Sequence, residues 1–367
     1  MPYHPEKILV EKSALRYRFC QEILNNQKTT PTEIIDSEDR LETSKDHALS
    51  LSQGKRVLYL KEFKGSAFKL CPGYSESVLC CNYFVLDLVE NCPLECSYCI
   101  LQVFLNKPLI TFHVNVESII ESMIKEIKQY PNRPFRIGTG EHSDSLALDH
   151  IFQVNPYLVE TFANLPNATL ELKSKTDAIE PLIGLEHRGR TVVAWSLNPS
   201  EIIQSNEHKT ATLQQRLNAA SRLVDSGYRV AFHFDPLIHY PEWEDGYFET
   251  INDLFCIIKP QDIAWISLGT LRYIPKLKQI AEERFPKTAI FANEFVSATD
   301  GKMRYIKPIR KKMLAQVSGW IREKAPQVPL YLCMEHHSTW SQLFSAPPDS
   351  PQHLEAYLNT NLNMLEN

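Results

Sequence analysis

Cys92-Pro93-Leu94-Glu95-Cys96-Ser97-Tyr98-Cys99 sets three thiols at a C-x3-C-x2-C spacing, just after the apolar run Tyr83-Phe84-Val85-Leu86-Asp87-Leu88-Val89. The run reads as a β-strand, which places the thiols in the loop at its carboxyl end. A cubane [4Fe–4S] cluster holds four irons and normally takes four thiolates. Three thiols with no fourth nearby leave one iron free to bind a small molecule. A structural zinc site would want four ligands, usually a second C-x2-C or a histidine pair further on. No such pair follows, and His113, His142 and His150 stand at no finger-like spacing. Unrelated buried thiols are the other reading, since free cysteine is a common core residue. The spacing favours the cluster, and with it an enzyme over a structural metalloprotein.

The bulk composition sets bounds. A chain of 367 residues can bury a sizeable core as one large α/β domain or two smaller ones. A formal charge of −5 lends no general support to nucleic-acid binding, which would need a local patch. Met1–Val10 is polar, with His4, Glu6 and Lys7, and does not read as a signal peptide. No apolar run reaches the roughly 20 residues of a membrane-spanning helix, so no membrane partner is expected. Nine cysteines without an export signal suggest a reducing compartment, hence a cytoplasmic location.

From about residue 83 to 286 short β-type runs alternate with amphipathic helical stretches. The strands are expected at Tyr83–Val89, Phe135–Gly138, Ala168–Lys173, Val192–Leu197, Arg229–Asp235 and Ala264–Leu268. The helices are expected at Val116–Gln129, Pro156–Asn164, Ala178–Leu185, Ala211–Ser226, Phe248–Ile258 and Pro275–Arg284. Leu213, Leu217, Ala220, Leu223 and Val224 recur at helical spacing, with Arg216 at the edge of their face and Gly227 placed to end the helix. Six βα units imply a parallel sheet with helices outside. Six is fewer than the eight of a closed barrel, so the expected fold is α/β, an open (β/α)6 barrel with its site at the carboxyl ends of the strands.

That core is expected to span residues 81–290. A small N-terminal subdomain, 1–80, precedes it, with Ile8–Val10 and Val57–Leu60 as pairing strands and Thr29–Ser50 as a solvated acidic segment. A C-terminal extension, 291–367, follows, with a hairpin (Ala289–Phe295 and Met303–Ile306) and helices at Met313–Lys324 and Gln352–Met364.

The cysteine loop resembles that of the radical SAM enzymes, and the wider sequence resembles their spore photoproduct lyase-like family, which acts on thymine photodimers in DNA. Lys7-Ile8-Leu9-Val10-Glu11, Lys107-Pro108 running into Phe112-His113-Val114-Asn115, Glu171-Leu172-Lys173-Ser174-Lys175 and Trp195-Ser196-Leu197-Asn198-Pro199 carry the likeness. Gly227-Tyr228 through Trp243-Glu244-Asp245-Gly246-Tyr247 and Phe285-Pro286-Lys287-Thr288 extend it. The resemblance implies that Cys92, Cys96 and Cys99 hold a [4Fe–4S] cluster whose open iron binds S-adenosyl-L-methionine (SAM). One-electron cleavage of SAM would then give a 5′-deoxyadenosyl radical that takes hydrogen from a substrate. It implies SAM contacts at Ser143, Lys175 and Ser196, a DNA or other nucleic-acid substrate, and a flavodoxin- or ferredoxin-type electron donor.

Two positions depart from the family. In Gly138-Thr139-Gly140-Glu141-His142-Ser143-Asp144-Ser145 the lyases have a cysteine that returns hydrogen to the product radical, and here Glu141 stands in its place. A carboxylate has no hydrogen to give. The tyrosine that follows the third cluster cysteine in the lyases is Ile100, and only Tyr98 of that relay is kept. The candidate catalytic residues are thus Tyr98 and Glu141, with Glu141 read as binding SAM, through its amino group, or substrate; an acid offsetting a helix dipole is the plainer alternative. Asp144 suits a helix cap.

Other groups carry less weight. Cys71, Cys80 and Cys81 read as ordinary buried thiols. His233 and Asp235 alternate toward the barrel mouth, with Arg272 and Tyr273 after the next strand. The stretch Lys302 to Lys312 contains no acid, and Lys302, Arg304, Tyr305, Lys307 and Arg310 suit a phosphate-tracking, base-stacking surface. A solvated hairpin face is the plainer reading. The runner-up function is a non-catalytic nucleic-acid-binding protein that keeps a structural iron–sulfur cluster.

Overall fold

The computed structural model describes residues 2–36, 47–73, 78–105 and 107–360, apart from the side chains of 47–50. Its centre is an open, eight-stranded sheet. Seven strands run parallel in chain order: Phe84–Leu86, Phe135–Gly138, Ala168–Ser174, Thr191–Ser196, Arg229–Leu237, Ile263–Thr270 and Leu330–Leu332. Phe68–Leu70 closes one edge, antiparallel to Phe84–Leu86. The strands are buried on both faces, as a parallel sheet wrapped by helices requires.

The partial barrel therefore stands, with one more parallel strand than the six expected. Leu330–Leu332 is short, apolar throughout and preceded by Pro329, so it shows no alternation to mark it. The run Tyr83–Val89 is divided. After Phe84–Leu86 the chain turns at Asp87, which pairs with Lys69 and His142, and Val89–Glu90 joins a second sheet.

That second sheet has the order Thr32–Ile35, Lys7–Glu11, Val57–Lys61, Ile110–His113, Val89–Glu90. Ile8–Val10 does pair with Leu58–Leu60, in parallel. Two of its five strands come from beyond residue 80. Alternation decides its faces: Ile8, Val10, Leu58 and Leu60 join the main core, while Leu9, Tyr59 and Ile35 form a small cluster on the other side. Within the acidic segment Thr32–Ile35 is a strand rather than a solvated helix or loop, and Glu38, Asp39 and Glu42 lie outside the described residues.

Helices Val116–Ile127, Val154–Ala163, Leu213–Asp225, Trp243–Ile257 and Pro275–Arg284 lie near their predicted places. Thr212 and Gln215 form a capping box at the start of Leu213–Asp225, and Gly227 ends it at φ 85°. The helix expected over Ala178–Leu185 shrinks to one turn, Glu180–Leu182. Pro181 removes an amide donor and Gly184 adopts φ 80°. The C-terminal hairpin pairs Phe295–Ser297 with Met303–Tyr305, and Arg272–Tyr273 joins as a third strand. The helix expected from Met313 begins at Lys307, where Pro308 suits a first turn. The last helix is Pro351–Asn359, and residues 361–364 lie outside the described ones.

The end of the second parallel strand is tightly packed: a Cβ on Gly138 would sit 1.6 Å from Tyr83 Oη. We expect Gly138→Ala to lower the unfolding free energy by about 1–3 kcal/mol, read from the denaturant midpoint at constant m-value. A wild-type midpoint would show that the Tyr83 ring swings aside freely.

Candidate active site

The cysteine loop lies between the two sheets and is tied down at both ends. Glu95–Cys96 pairs antiparallel with Glu207–His208. Ser97 donates from its amide to the Asn206 carbonyl at 2.9 Å and from its hydroxyl to Asn206 Oδ1 at 2.8 Å. Gln102 donates to the carbonyls of Cys96 and Ser97. Lys55 donates to the Leu94 carbonyl at 2.6 Å, and the Glu95 carboxylate receives both Lys55 and Arg284, the latter at 2.7 Å.

The centre of the attachment is Glu207. Its side chain is fully buried and accepts from Arg216 Nη2 at 2.6 Å, from Asn198 Nδ2 at 2.9 Å and from the Tyr98 hydroxyl. Burial would push this carboxyl up, but Arg216 and Lys175 win and hold it at about 2. Arg216, expected at a helix edge, has no exposed surface. Its remaining donors reach the carbonyls of Ala211 and Ser196 and the Thr210 hydroxyl. Burial and Glu207 raise the Tyr98 phenol well above its ordinary value, so as placed Tyr98 is a tether between loop and barrel.

The predicted residues divide into two groups. Lys175 Nζ lies 5.9 Å from the Tyr98 ring centre, and its charge acts on Cys96 as well as Glu207. Burial pushes the Cys92 thiol up to about 12, helped by Asp144, and raises Cys96 strongly. The thiols sense one another, Cys99 raising both. Asp144 caps no long helix. It accepts from the amides of Leu146, Ala147 and Lys175 and from the Ser174 hydroxyl, clamping the loop after the second strand onto the end of the third. Ser143 is buried and its hydroxyl has no partner among the described residues. Ser196 is buried at its strand end and joins this group through its carbonyl bond to Arg216.

Glu141 belongs to a second group, in the barrel interior. It acts electrostatically on Lys173 and on Cys71, whose thiol burial pushes up to about 12. Beside them His233 bridges Glu171 at 2.7 Å and Ser267 at 2.6 Å, while Arg272 grips both oxygens of Asp235 at 2.9 and 3.1 Å. Despite burial, His233 and Lys173 hold Glu171 at about 2, and Arg272 does the same for Asp235. Cys333, just past the seventh strand, adds a thiol raised well above its usual value by burial and Asp235. Glu207, Asp235 with Arg272 as its partner, and Cys333 were not legible as a site. No motif spacing marks them: Glu207 meets Arg216 and Asn198 nine residues away but Tyr98 109 residues away, and Asp235 meets Arg272 37 residues away.

The basic stretch is corrected. Tyr305 is fully buried, stacked on Phe295 at 4.5 Å, and its hydroxyl accepts from the His239 amide, so it offers no face to a base. Arg304 pairs with Asp300 at 2.7 Å and Arg310 with Glu335 at 3.2 Å. Lys302 is half-buried, its pKa lowered by burial and by Arg272, and Lys307 is exposed. Arg304 and Tyr305 lie in the strand Met303–Tyr305, while Lys307 and Arg310 lie in the helix that follows. Cys80 is buried, Cys71 and Cys81 are half-buried, and all three are free thiols.

Three free cysteines in one loop, Cys96 buried and Cys92 and Cys99 half-buried, and a Ser143 hydroxyl nearby with no partner among the described residues fit an iron–sulfur cluster with a polar ligand. Among the described residues no three His, Cys, Asp or Glu side chains are gathered closely enough to hold a metal ion as placed. What fits is the donor chemistry of the loop rather than a finished cage.

A partial α/β barrel with a three-thiol loop at its first strand defines the class, and the chain belongs to the spore photoproduct lyase family, whose model matches residues 3–326. It is 25% identical to the spore photoproduct lyase of Bacillus subtilis over 301 residues, covering 80% of this chain and 86% of that one. The Clostridium acetobutylicum lyase is 27% identical over 251 residues, 67% of this chain and 72% of that one. Among solved structures, a spore photoproduct lyase complexed with dinucleoside spore photoproduct has a TM-score of 0.80 at 22% identity, over 90% of this chain and 99% of that one. A double mutant of a spore photoproduct lyase, with bound AdoMet and dinucleoside spore photoproduct, has the same TM-score over 92% and 100%.

Glu207→Gln leaves Arg216 charged and buried, and we expect it to cost about 3–5 kcal/mol of unfolding free energy. The native carboxyl lies near 2 against an ordinary 4.5. Its contribution is therefore complete above about pH 4.5 and fades as pH falls toward 2. The gap between wild type and variant, measured by urea unfolding, should narrow over that acid window.

Proposed function

We propose that this chain is a radical SAM enzyme that binds a [4Fe–4S] cluster through Cys92, Cys96 and Cys99 and acts on a lesion or other site in DNA. The observation that carries this is the loop of three free thiols, anchored beside Lys175 at the strand ends, in a chain matched to the family over residues 3–326. When bound, the cluster and SAM would supply a 5′-deoxyadenosyl radical able to abstract hydrogen from substrate. Relatives solved with AdoMet and dinucleoside spore photoproduct support the cofactor and the substrate class. Ser143, Lys175 and Ser196 are the SAM contacts in this reading. Among the described residues no helix is long and apolar enough to cross a membrane.

Glu141 stands beside Lys173 and Cys71 and so serves to hold SAM or substrate, not to return hydrogen. Hydrogen return falls to a thiol. Cys71 and Cys333 both remain protonated at neutral pH and border the interior that Glu141 and Asp235 line.

Anaerobic reconstitution should give iron and acid-labile sulfide in cluster proportion, and SAM with dithionite should yield 5′-deoxyadenosine. Cys96→Ala should abolish both. Irradiated DNA should accelerate SAM turnover, and in deuterated water the label should enter product unless Cys71 and Cys333 are both replaced by alanine. Zinc in place of iron and sulfide would overturn the proposal. A loaded protein that binds DNA but never cleaves SAM would favour the non-catalytic reading.

A further inference from the structure

The outer side of the cysteine loop opens into a cleft of about 670 Å³ that is separate from the barrel interior. Its lining includes Pro93 and Glu95, each next in sequence to a cluster thiol, and the cations Lys55, Arg56, Lys209 and Arg284. None of the residues lining it belongs to the seven parallel strands. Within it one carboxylate, Glu95, faces three cations: Arg284 at 2.7 Å, Lys55 at 3.2 Å and Lys209 at 3.8 Å. Glu6 offsets only Arg56. Four positive charges thus stand against two negative ones, on a chain whose net charge is −5.

The cations have separate duties. Arg284 and Lys55 are almost fully buried and hold the loop. Lys209 and Arg56 are 67% and 59% exposed and present their charge to solvent. Lys209 follows the strand Glu207–His208 that pairs with Glu95–Cys96, and the neighbouring His208 ring stacks on Phe285 at 5.2 Å, so its position is fixed relative to the thiols.

We infer that this cleft is the docking surface for an acidic one-electron carrier protein. The inference rests on the cluster reading above and adds the place where the electron enters. The carrier gives up one electron and the cluster held by the loop gains it, with no bond made or broken. Tunnelling favours the shortest route, and a partner seated against Pro93 and Glu95 is one residue from Cys92 and from Cys96. A positive cleft steers an acidic partner there at long range, and a small, salt-sensitive contact suits a carrier that must leave after each transfer.

Reduced flavodoxin is the probe, used with the reconstituted full chain and the double variant Lys209→Glu/Arg56→Glu. We expect flavodoxin affinity, measured by calorimetry, to fall about tenfold or more in the double variant, and wild-type affinity to fall as salt rises. Flavodoxin-driven 5′-deoxyadenosine formation should fall in step, while dithionite-driven formation stays at the wild-type rate. Unchanged flavodoxin affinity in the double variant would overturn the docking surface. So would a loss of DNA affinity in place of carrier affinity, which would assign the cleft to nucleic acid. No dithionite-driven SAM cleavage in wild-type protein would instead overturn the cluster reading beneath it.

Discussion

The buried ion pair of Glu207 and Arg216 is the constraint on which the site depends. Both side chains are removed from water, and taking two charges out of water costs several kcal/mol per ion unless their hydrogen bonds are satisfied. Here they are. Arg216 reaches two carbonyls and a hydroxyl besides the carboxylate, and Glu207 receives Asn198 and Tyr98 as well. Asn198 in turn accepts from the Tyr247 hydroxyl, which accepts from the Ile238 amide. One network therefore ties the cysteine loop, two strand ends and two helices together.

A short loop that carries three thiols has little core of its own, so external struts must fix it. The chain applies charge on both sides. Glu207 and Lys175 act from one side, and on the other Lys55 and Arg284 hold the loop's own Glu95. The same arrangement separates the two surfaces of the loop. The inner face meets Lys175 and the strand ends, where we propose that SAM is held, and the outer face meets an excess of cations. Cofactor chemistry and electron supply can then be tuned on opposite faces of eight residues.

The interior has its own logic. Glu171 is hydrogen-bonded to His233 and Asp235 is ion-paired with Arg272, both in a strongly buried setting, and the charge of Lys173 acts on both carboxylates. Such a lining is costly for stability alone, and perturbed groups of this kind gather where chemistry is done. Glu141 adds an acid where a lyase would have a thiol, while Cys71 and Cys333 bring thiols from the first and last edges of the sheet.

The cluster spacing, the barrel class and most helices were legible in the sequence because each is a local pattern: a fixed interval of cysteines, or an apolar period. Gly227 ended its helix as its position implied, for only a residue without a Cβ enters φ 85° freely. The seventh strand, the single turn at Pro181 and the division at Asp87 were not, since short apolar runs carry no period and a proline's effect depends on its register. Tertiary structure alone decided that Tyr305 faces the core, that Arg216 is buried against Glu207 and that Cys333 sits beside Asp235. The first and last are set by which elements become neighbours in space, and the second by the rotation of helix Leu213–Asp225, which turns Arg216 inward onto a carboxylate that no motif spacing marks.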